Sequence, residues 1–378
     1  MNETNPTTEV ASFLDELQTL ADHSPSRQEF PHASSFEERI PIYHASDILK
    51  LGNSIEGELT RCLKSGPGVF VIHNAYPASL IDDVTQVFQT TIKEETAQGV
   101  SKGDHFGNNI RIWNAFQKLI LRKPELGIRY YAHPVLATVS RSWLGPRYQM
   151  TAQVNTVKPG SQAQTPHRDY HLGFQSQSAI SRFPIHAQIM SQYLTLQGAI
   201  AHTDMPLHSG PTEFLPYSQC LEEGYSAIHF DEVKRFFQAT KTQLPLAKGD
   251  AVFFNPALFH AAGANSSDND RIANLIQVSS AFGKTMEAID HRAIALACYP
   301  ILREQGLTLE SSSGLKAQDV LTATASAYPF PTNLDDDPPI EGHAPRSLAD
   351  HLEWNLRKNT PVEAFQQSID HYLSTRRP

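Results

Sequence analysis

The middle of the chain, residues 148–278, alternates short β-rich runs with clusters of Gly, Pro, Asn and Ser. Strands are shorter than helices, and a series of them separated by turn residues is typical of a β-sandwich or a closed barrel. The runs are Met150–Val157, Gln192–Ala201, Thr212–Leu215, Ala251–Phe254 and Ile272–Val278. A further strand is predicted upstream at Val69–His73. The sequence therefore predicts a mainly β core.

Helical patterns flank this core on both sides. The predicted helices include Ala11–Ala21, Ile55–Leu63, Met286–Leu302, Leu348–Lys358 and Val362–Ser374. Residues 307–345 are rich in Ser, Pro and acidic residues, which is typical of a surface excursion. We divide the chain into an N-terminal helical extension (1–64), a core (65–283) and a C-terminal helical extension packed on the core (284–378), together forming one structural domain.

The bulk composition limits the classes of partner. Of 378 residues, 40% are hydrophobic and 19% are charged, as in globular proteins. A formal net charge of −9 argues against binding to nucleic acid or to an anionic membrane. The three cysteines, Cys62, Cys220 and Cys298, lie too far apart for a disulfide framework or a thiolate zinc site. We expect a cytoplasmic protein with a small-molecule partner, and a homodimer stays open.

Two residues of one predicted strand could share a metal ion. His167 and Asp169 are two positions apart, and side chains at i and i+2 point to the same face of a strand. This spacing alone is common by chance. A third ligand, His260, follows the strand Ala251–Phe254. Two histidines and one carboxylate leave open positions on an iron, so we predict His167, Asp169 and His260 as the metal ligands and catalytic residues.

A second pair with the same spacing, His202 and Asp204, is the alternative. It precedes a segment that is typical of a loop, and it lacks the Pro159-Gly160 turn that stands upstream of His167. We interpret His202, together with His186, His208 and His229, as an ordinary loop or surface histidine.

Three blocks of residues resemble the phytanoyl-CoA dioxygenase family. The first runs from Pro159-Gly160 through Gln164 to His167-Arg168-Asp169, and the second is Ser209–Gln219. The third runs from Gly249-Asp250 through His260 to Arg271. The resemblance covers about residues 65–281 and implies a double-stranded β-helix, the jelly-roll or cupin-like core.

The resemblance also implies the cofactors. Members of this family of oxygenases use Fe(II), 2-oxoglutarate as co-substrate and O2. Gln164 and Thr212 would then contact 2-oxoglutarate, and Arg271 would pair with its distal carboxylate, since a buried carboxylate needs a permanent cation of forked geometry. Ser209 and Ala262 depart from the residues usual in the family, which affects the detailed co-substrate contacts but not the metal ligands.

We therefore predict an oxidoreductase that hydroxylates a small molecule in secondary metabolism and releases succinate and CO2. The alternatives are a catalytically silent binding or scaffold protein on the same fold, and a metal-dependent isomerase or hydrolase. Candidate substrate contacts are His105, Phe106, Asn108, Arg111, Tyr170, His171 and Phe174. The alternative, which we favour for Arg111 and Phe106, is a surface charge and a core residue.

Overall fold

The computed structural model describes residues 6–99, 109–309 and 314–377. His105, Phe106 and Asn108, three of the candidate substrate contacts, lie outside these ranges. The strands are β1 Ser35–Glu37, β2 Ile40–His44, β3 Val69–His73, β4 Ile110–Ile112, β5 Gln149–Val157, β6 Thr195–Ala201, β7 Thr212–Phe214, β8 Thr242–Gln243, β9 Ala251–Phe254, β10 His260–Ala262 and β11 Arg271–Ser279.

Helices contribute more residues than strands and stand mostly before and after the β core. They are α1 Pro6–Ala21, α2 Ala45–Leu51, α3 Glu56–Lys64, α4 Ala78–Ala97, α5 Ala115–Arg122, α6 Pro124–Tyr131, α7 Pro134–Leu144, α8 Gln177–Ile180, α9 Ile185–Ser191, α10 Gly224–Ala227, α11 Asp231–Thr240, α12 His291–Gln305, α13 Ala317–Thr324, α14 Leu348–Arg357 and α15 Val362–Ser374. None of the described helices combines the length and the apolar character needed to cross a membrane.

The strands form two sheets that pack face to face. The large sheet has the order β1-β2-β3-β9-β6-β11-β5-β4, and the small sheet has the order β10-β7-β8. Every strand pair is antiparallel except β2 with β3. Phe254 of the large sheet contacts Phe214 of the small one, with ring centroids 5.0 Å apart. The predicted mainly β core of the double-stranded β-helix type is confirmed.

The segment that contains the His167-Arg168-Asp169 run extends the small sheet beside β10. The backbone amide of His167 donates to the His260 carbonyl (3.0 Å), and the amide of His260 donates back (3.1 Å). Further along, the Gln164 amide donates to the Ala262 carbonyl at 2.8 Å. These bonds place the two predicted ligand blocks side by side.

Alternation along the long strands separates a face that lines the space between the sheets from a face that packs under the helices. On β11, Arg271, Ala273, Leu275 and Gln277 line the space between the sheets, whereas Ile276 and Val278 belong to the apolar cluster under the helices. Side chains two apart share a face of a strand, so this pattern follows directly from the sequence.

Two flanking segments differ from their predicted character. The N-terminal segment is not only helical, because β1 and β2 join the large sheet. The surface excursion predicted at 307–345 is wrong over α13, whose Val320 and Leu321 are buried in the main apolar cluster. A buried ion pair between Asp319 and Arg141 of α7 ties this helix to the body of the protein. The division into three segments stays a prediction.

Candidate metal centre

Three predicted ligands meet between the two sheets. Nε2 of His167 lies 3.6 Å from Oδ1 of Asp169, and Nε2 of His260 lies 3.4 Å from Oδ2 of the same carboxylate. One ligand atom from each of the three residues lies within 4.8 Å of the others. Metal–ligand bonds are about 2.0–2.2 Å for such N and O donors, so atoms sharing one ion stand roughly 3–4 Å apart. The three side chains could therefore hold a divalent metal.

Backbone carbonyls orient both imidazole rings. Nδ1 of His167 lies 2.8 Å from the Thr165 carbonyl oxygen, and Nδ1 of His260 lies 2.8 Å from the Leu258 carbonyl oxygen. A carbonyl only accepts, so Nδ1 of each ring carries the proton and donates it. This tautomer leaves the Nε2 lone pairs, which face Asp169, available for a metal.

The Asp169 carboxylate is held as an anion. Burial alone would raise its pKa, but the neighbouring His260 and His167 and the amide of Gln197 outweigh burial and hold the pKa below its usual range. Nε2 of Gln197 donates to Oδ2 of Asp169 at 2.5 Å. Two neutral imidazoles and one carboxylate form the donor set of a facial triad, which leaves positions open for small molecules.

Arg271 lies in the same cavity without a carboxylate partner among the described residues. Its Nη1 donates to the carbonyls of Ser209 (3.0 Å) and Gly263 (3.4 Å). Asp270, a possible partner on sequence grounds, pairs with Lys158 instead, at 2.6 Å. Burial lowers the pKa of Arg271 to about 10, with Glu213 opposing the shift. A buried guanidinium without a counter-charge suits an anionic ligand such as 2-oxoglutarate.

The remaining predicted co-substrate residues, Gln164 and Thr212, also line the cavity. They flank Ala262 from opposite sides, because Thr212 pairs with Ala262 across β7 and β10. Oε1 of Gln164 accepts a hydrogen bond from the Ala262 amide at 3.1 Å. The carbonyl end of this side chain is therefore used by the fold, and its role towards a co-substrate stays a prediction.

The alternative pair, His202 and Asp204, does not form a metal site. His202 is buried, and its two ring nitrogens contact the hydroxyls of Thr85 (2.7 Å) and Tyr130 (2.8 Å). Asp204 accepts from the amide of Lys248 at 2.8 Å. Burial lowers the pKa of His202 to about 3, so the ring is neutral. His202 does lie in a bend directly after β6, but it is buried, so the interpretation of it as a surface histidine is wrong.

The three ligands and Arg271 open into one cavity of about 1460 Å³. Sequence reasoning missed three glutamines on its wall, Gln153, Gln197 and Gln277. The sequence could have identified them, because each is a polar residue at an inward-facing position of a largely apolar strand. Reasoning also missed the environment of Arg168, which is buried between the rings of Tyr225 and Phe259 at 5.1 and 5.0 Å.

The fold and the site define a double-stranded β-helix protein with a two-histidine, one-carboxylate metal centre. Residues 66–273 match the family model of phytanoyl-CoA dioxygenase (PhyH). Since this match covers more than half of the chain, the protein belongs to the phytanoyl-CoA dioxygenase family, as predicted. The prediction of an Fe(II)- and 2-oxoglutarate-dependent oxidoreductase is confirmed at the level of this family.

Individual relatives are more distant. The uncharacterized protein YJR154W of Saccharomyces cerevisiae is 29% identical over 134 residues, which is 35% of this chain and 36% of that protein. The chain thus matches only about a third of the length of this curated relative.

Two solved structures are similar at low identity. SnoN, a non-heme alpha ketoglutarate dependent epimerase from nogalamycin biosynthesis, is 18% identical with a TM-score of 0.45, covering 60% of this chain and 84% of its own. SnoK, a carbocyclase from the same biosynthesis, is 21% identical with a TM-score of 0.45, covering 62% and 87%. These likenesses are too low to assign a shared reaction.

Proposed function

We propose that this protein is an Fe(II)- and 2-oxoglutarate-dependent dioxygenase that oxidises a small organic molecule. The observation that carries the proposal is the placement of His167, Asp169 and His260 within 4.8 Å of one another, in one cavity with the unpaired Arg271. A purely structural metal site does not require a buried guanidinium in the same cavity. A co-substrate that chelates the metal at one end and carries a carboxylate at the other uses both features.

Different residues would bind the metal and the co-substrate. His167, Asp169 and His260 would hold the iron, with both rings oriented through their Nδ1 protons. Arg271 would bind the distal carboxylate of 2-oxoglutarate, while Gln164 and Thr212 would contact the co-substrate along the small sheet. When bound, the iron supplies activation of O2, with 2-oxoglutarate converted into succinate and CO2. With co-substrate and organic substrate bound, the two sheets would exclude bulk water from this space.

For the organic substrate we propose hydroxylation, in which one oxygen atom of O2 enters succinate and the other enters the product. We place it in the secondary metabolism of small molecules, inside the reducing cytoplasm, where the three free cysteines would stay reduced. Desaturation or ring formation would use the same site with the same co-substrate. A homodimer is also consistent with the chain.

The test is succinate formation from 2-oxoglutarate by purified protein under air, with and without Fe(II). We expect slow turnover that requires added Fe(II), because many such sites consume co-substrate without organic substrate. The variants His167→Ala and Asp169→Ala should abolish it, and both should lose Fe(II) binding measured anaerobically. The matched control is His351→Ala, which alters a histidine of α14, far along the chain from the cavity lining.

Wild-type protein that binds Fe(II) and 2-oxoglutarate yet forms no succinate, with or without candidate organic substrates, would favour the silent binding protein. Turnover of another metal-dependent kind that does not need 2-oxoglutarate would favour an isomerase or hydrolase.

A further inference from the structure

Four neighbouring strands each place at least one polar side chain on the cavity wall. Following the sheet order β6-β11-β5-β4, these residues are Gln197, Gln277, Gln153 and Arg111, and we call them the amide row. Gln277 stands directly opposite Gln197. All four line the cavity.

Hydrogen bonds join three members of the amide row to one another, and the fourth is bonded to Asp169. Nε2 of Gln153 donates to Oε1 of Gln277 at 3.4 Å, and Nη1 of Arg111 donates to Oε1 of Gln153 at 3.0 Å. At the other end, Gln197 donates to Asp169. With neighbouring strands about 4.8 Å apart, the row is roughly 14 Å long. It therefore extends from the metal ligands well beyond the space that 2-oxoglutarate needs.

One acceptor in the row is left without a donor. Oε1 of Gln197 is buried and has no hydrogen-bond partner among the described residues, while its Nε2 is engaged with Asp169. Buried polar groups in native proteins are normally paired, so an unpaired one that lines a cavity indicates a ligand or water as partner. A donor on a bound molecule would fit here, next to the metal ligands.

An aromatic side chain stands at the Arg111 end of the row, and further apolar side chains line the cavity. The Arg111 guanidinium lies over the Trp113 ring, 4.9 Å from its centroid, and Met286 and Phe174 line the same cavity. Phe174 is 59% exposed, so it lies at the edge of the cavity where a bound molecule could cover it. The space is thus polar along one wall and apolar at its rim.

Resting on the proposed function, we infer that the organic substrate is a polar molecule whose hydrogen-bonding groups lie along the amide row. It carries an O–H or N–H donor near the oxidised carbon, facing Gln197. An alkyl chain bound along this wall would bury the side-chain amides without forming hydrogen bonds to them. Each buried polar group left without a hydrogen bond lowers the affinity for the ligand about tenfold, so fatty acyl chains are disfavoured here.

The test compares two sets of carboxylates of similar size. The polar set is pantothenate, N-acetylglutamine and gluconate, and the alkyl set is octanoate, decanoate and dodecanoate. Binding is measured by isothermal titration to anaerobic protein containing Zn(II) and 2-oxoglutarate, so that the co-substrate position is filled and no turnover occurs. We expect the tightest polar ligand to bind wild-type protein at least about tenfold more tightly than any alkyl ligand.

Gln277→Leu keeps the size of the side chain and removes the amide. This variant should bind the polar ligand about tenfold more weakly and the alkyl ligands more tightly. Gln153→Leu should change the affinities for both kinds of ligand in the same directions. Gln367→Leu, the same substitution on the exposed face of α15, is the control and should bind like wild type. Thermal unfolding of each variant verifies that it is folded.

A wild-type protein without preference for the polar set, or variants that leave the preference unchanged, would overturn the inference. The proposed function is judged separately by succinate formation with Fe(II). Since ligand binding is read without turnover, a failure of one does not imply a failure of the other.

Discussion

Gln197 donates its side-chain amide to Oδ2 of Asp169 from the facing sheet, at 2.5 Å. The same oxygen lies 3.4 Å from Nε2 of His260, so this contact restricts the rotation of the carboxylate in the metal centre. Partners of this kind commonly change metal affinity by 10- to 100-fold, because they fix the ligand before the metal arrives.

Removing this contact should weaken metal binding. We expect Gln197→Leu to raise the dissociation constant for Co(II) by about 10- to 100-fold, measured by anaerobic isothermal titration. Gln367→Leu, exposed on α15, should bind Co(II) like wild type. Equal affinities for all three proteins would show that Asp169 is held by the histidines alone.

Loss of the Arg271 guanidinium should affect the co-substrate specifically. Arg271→Leu should raise the 2-oxoglutarate concentration required for half-maximal succinate formation about 10- to 100-fold, the usual value of a charge-assisted pair. The control ligand is 2-oxobutyrate, which lacks the distal carboxylate and should bind wild type and variant equally. If the variant lost both ligands equally, Arg271 would serve the fold rather than the carboxylate.

The same residue sets a pH expectation. The pKa of Arg271 is lowered by burial to about 10, so the cation persists at lower pH and is lost as pH rises through that value. Affinity for 2-oxoglutarate should therefore be flat between about pH 6 and 8 and decline as the pH approaches 10.

The sequence allowed the β core and most flanking helices to be predicted, because these depend on local alternation along single elements. His167 and Asp169 lie two residues apart in an extended segment that forms only an isolated bridge with His260, and the convergence of the three side chains required the fold. His202 shows the limit of such reasoning. Its spacing to Asp204 is the same, but its hydrogen bonds to Thr85 and Tyr130 reach 117 and 72 residues along the chain.

Composition misled the prediction for α13. Ser, Pro and acidic residues around it are typical of surface segments, yet Asp319 is buried against Arg141, and Val320 belongs to the main apolar cluster. A charged residue is expected at the surface unless it is known to have a buried partner of opposite charge. The amide row could have been found, since alternation on β5, β6 and β11 already placed each glutamine inward.

Gly224 is required by the buried Arg168. A Cβ at Gly224 would overlap the guanidinium, which cannot swing away because it packs between Tyr225 and Phe259 and donates to the carbonyl of Leu221 at 2.9 Å. We expect Gly224→Ala to lower the free energy of unfolding by about 1–3 kcal/mol, measured by urea denaturation.

The matched control for Gly224→Ala is Gly57→Ala in α3. A Cβ there has only the end of the flexible Arg61 side chain nearby, at 3.9 Å, so alanine should stabilise the helix by roughly 0.5–1 kcal/mol. Two alanines with effects of the same sign would contradict the steric account.

Glu287 should make stability depend on pH. Burial, the largest cause, raises its pKa to about 7 although Oε1 accepts a 2.5 Å hydrogen bond from the Asn114 amide. An acid with a raised folded pKa binds more protons folded than unfolded between its unfolded value of 4.5 and about 7. Stability is therefore lost as pH rises through that window.

Glu287→Gln removes this titration. The free energy of unfolding of wild type relative to the variant should fall by about 2 kcal/mol between pH 5 and pH 8, measured by urea denaturation at each pH. Glu363→Gln on the exposed side of α15 is the control for the substitution, and its free energy of unfolding should change with pH as that of wild type does. A constant difference between wild type and Glu287→Gln would mean that water reaches the carboxyl group freely. In that case Asn114 would have lost its buried acceptor, and the contact between β4 and the segment before α12 would be looser than the structure describes.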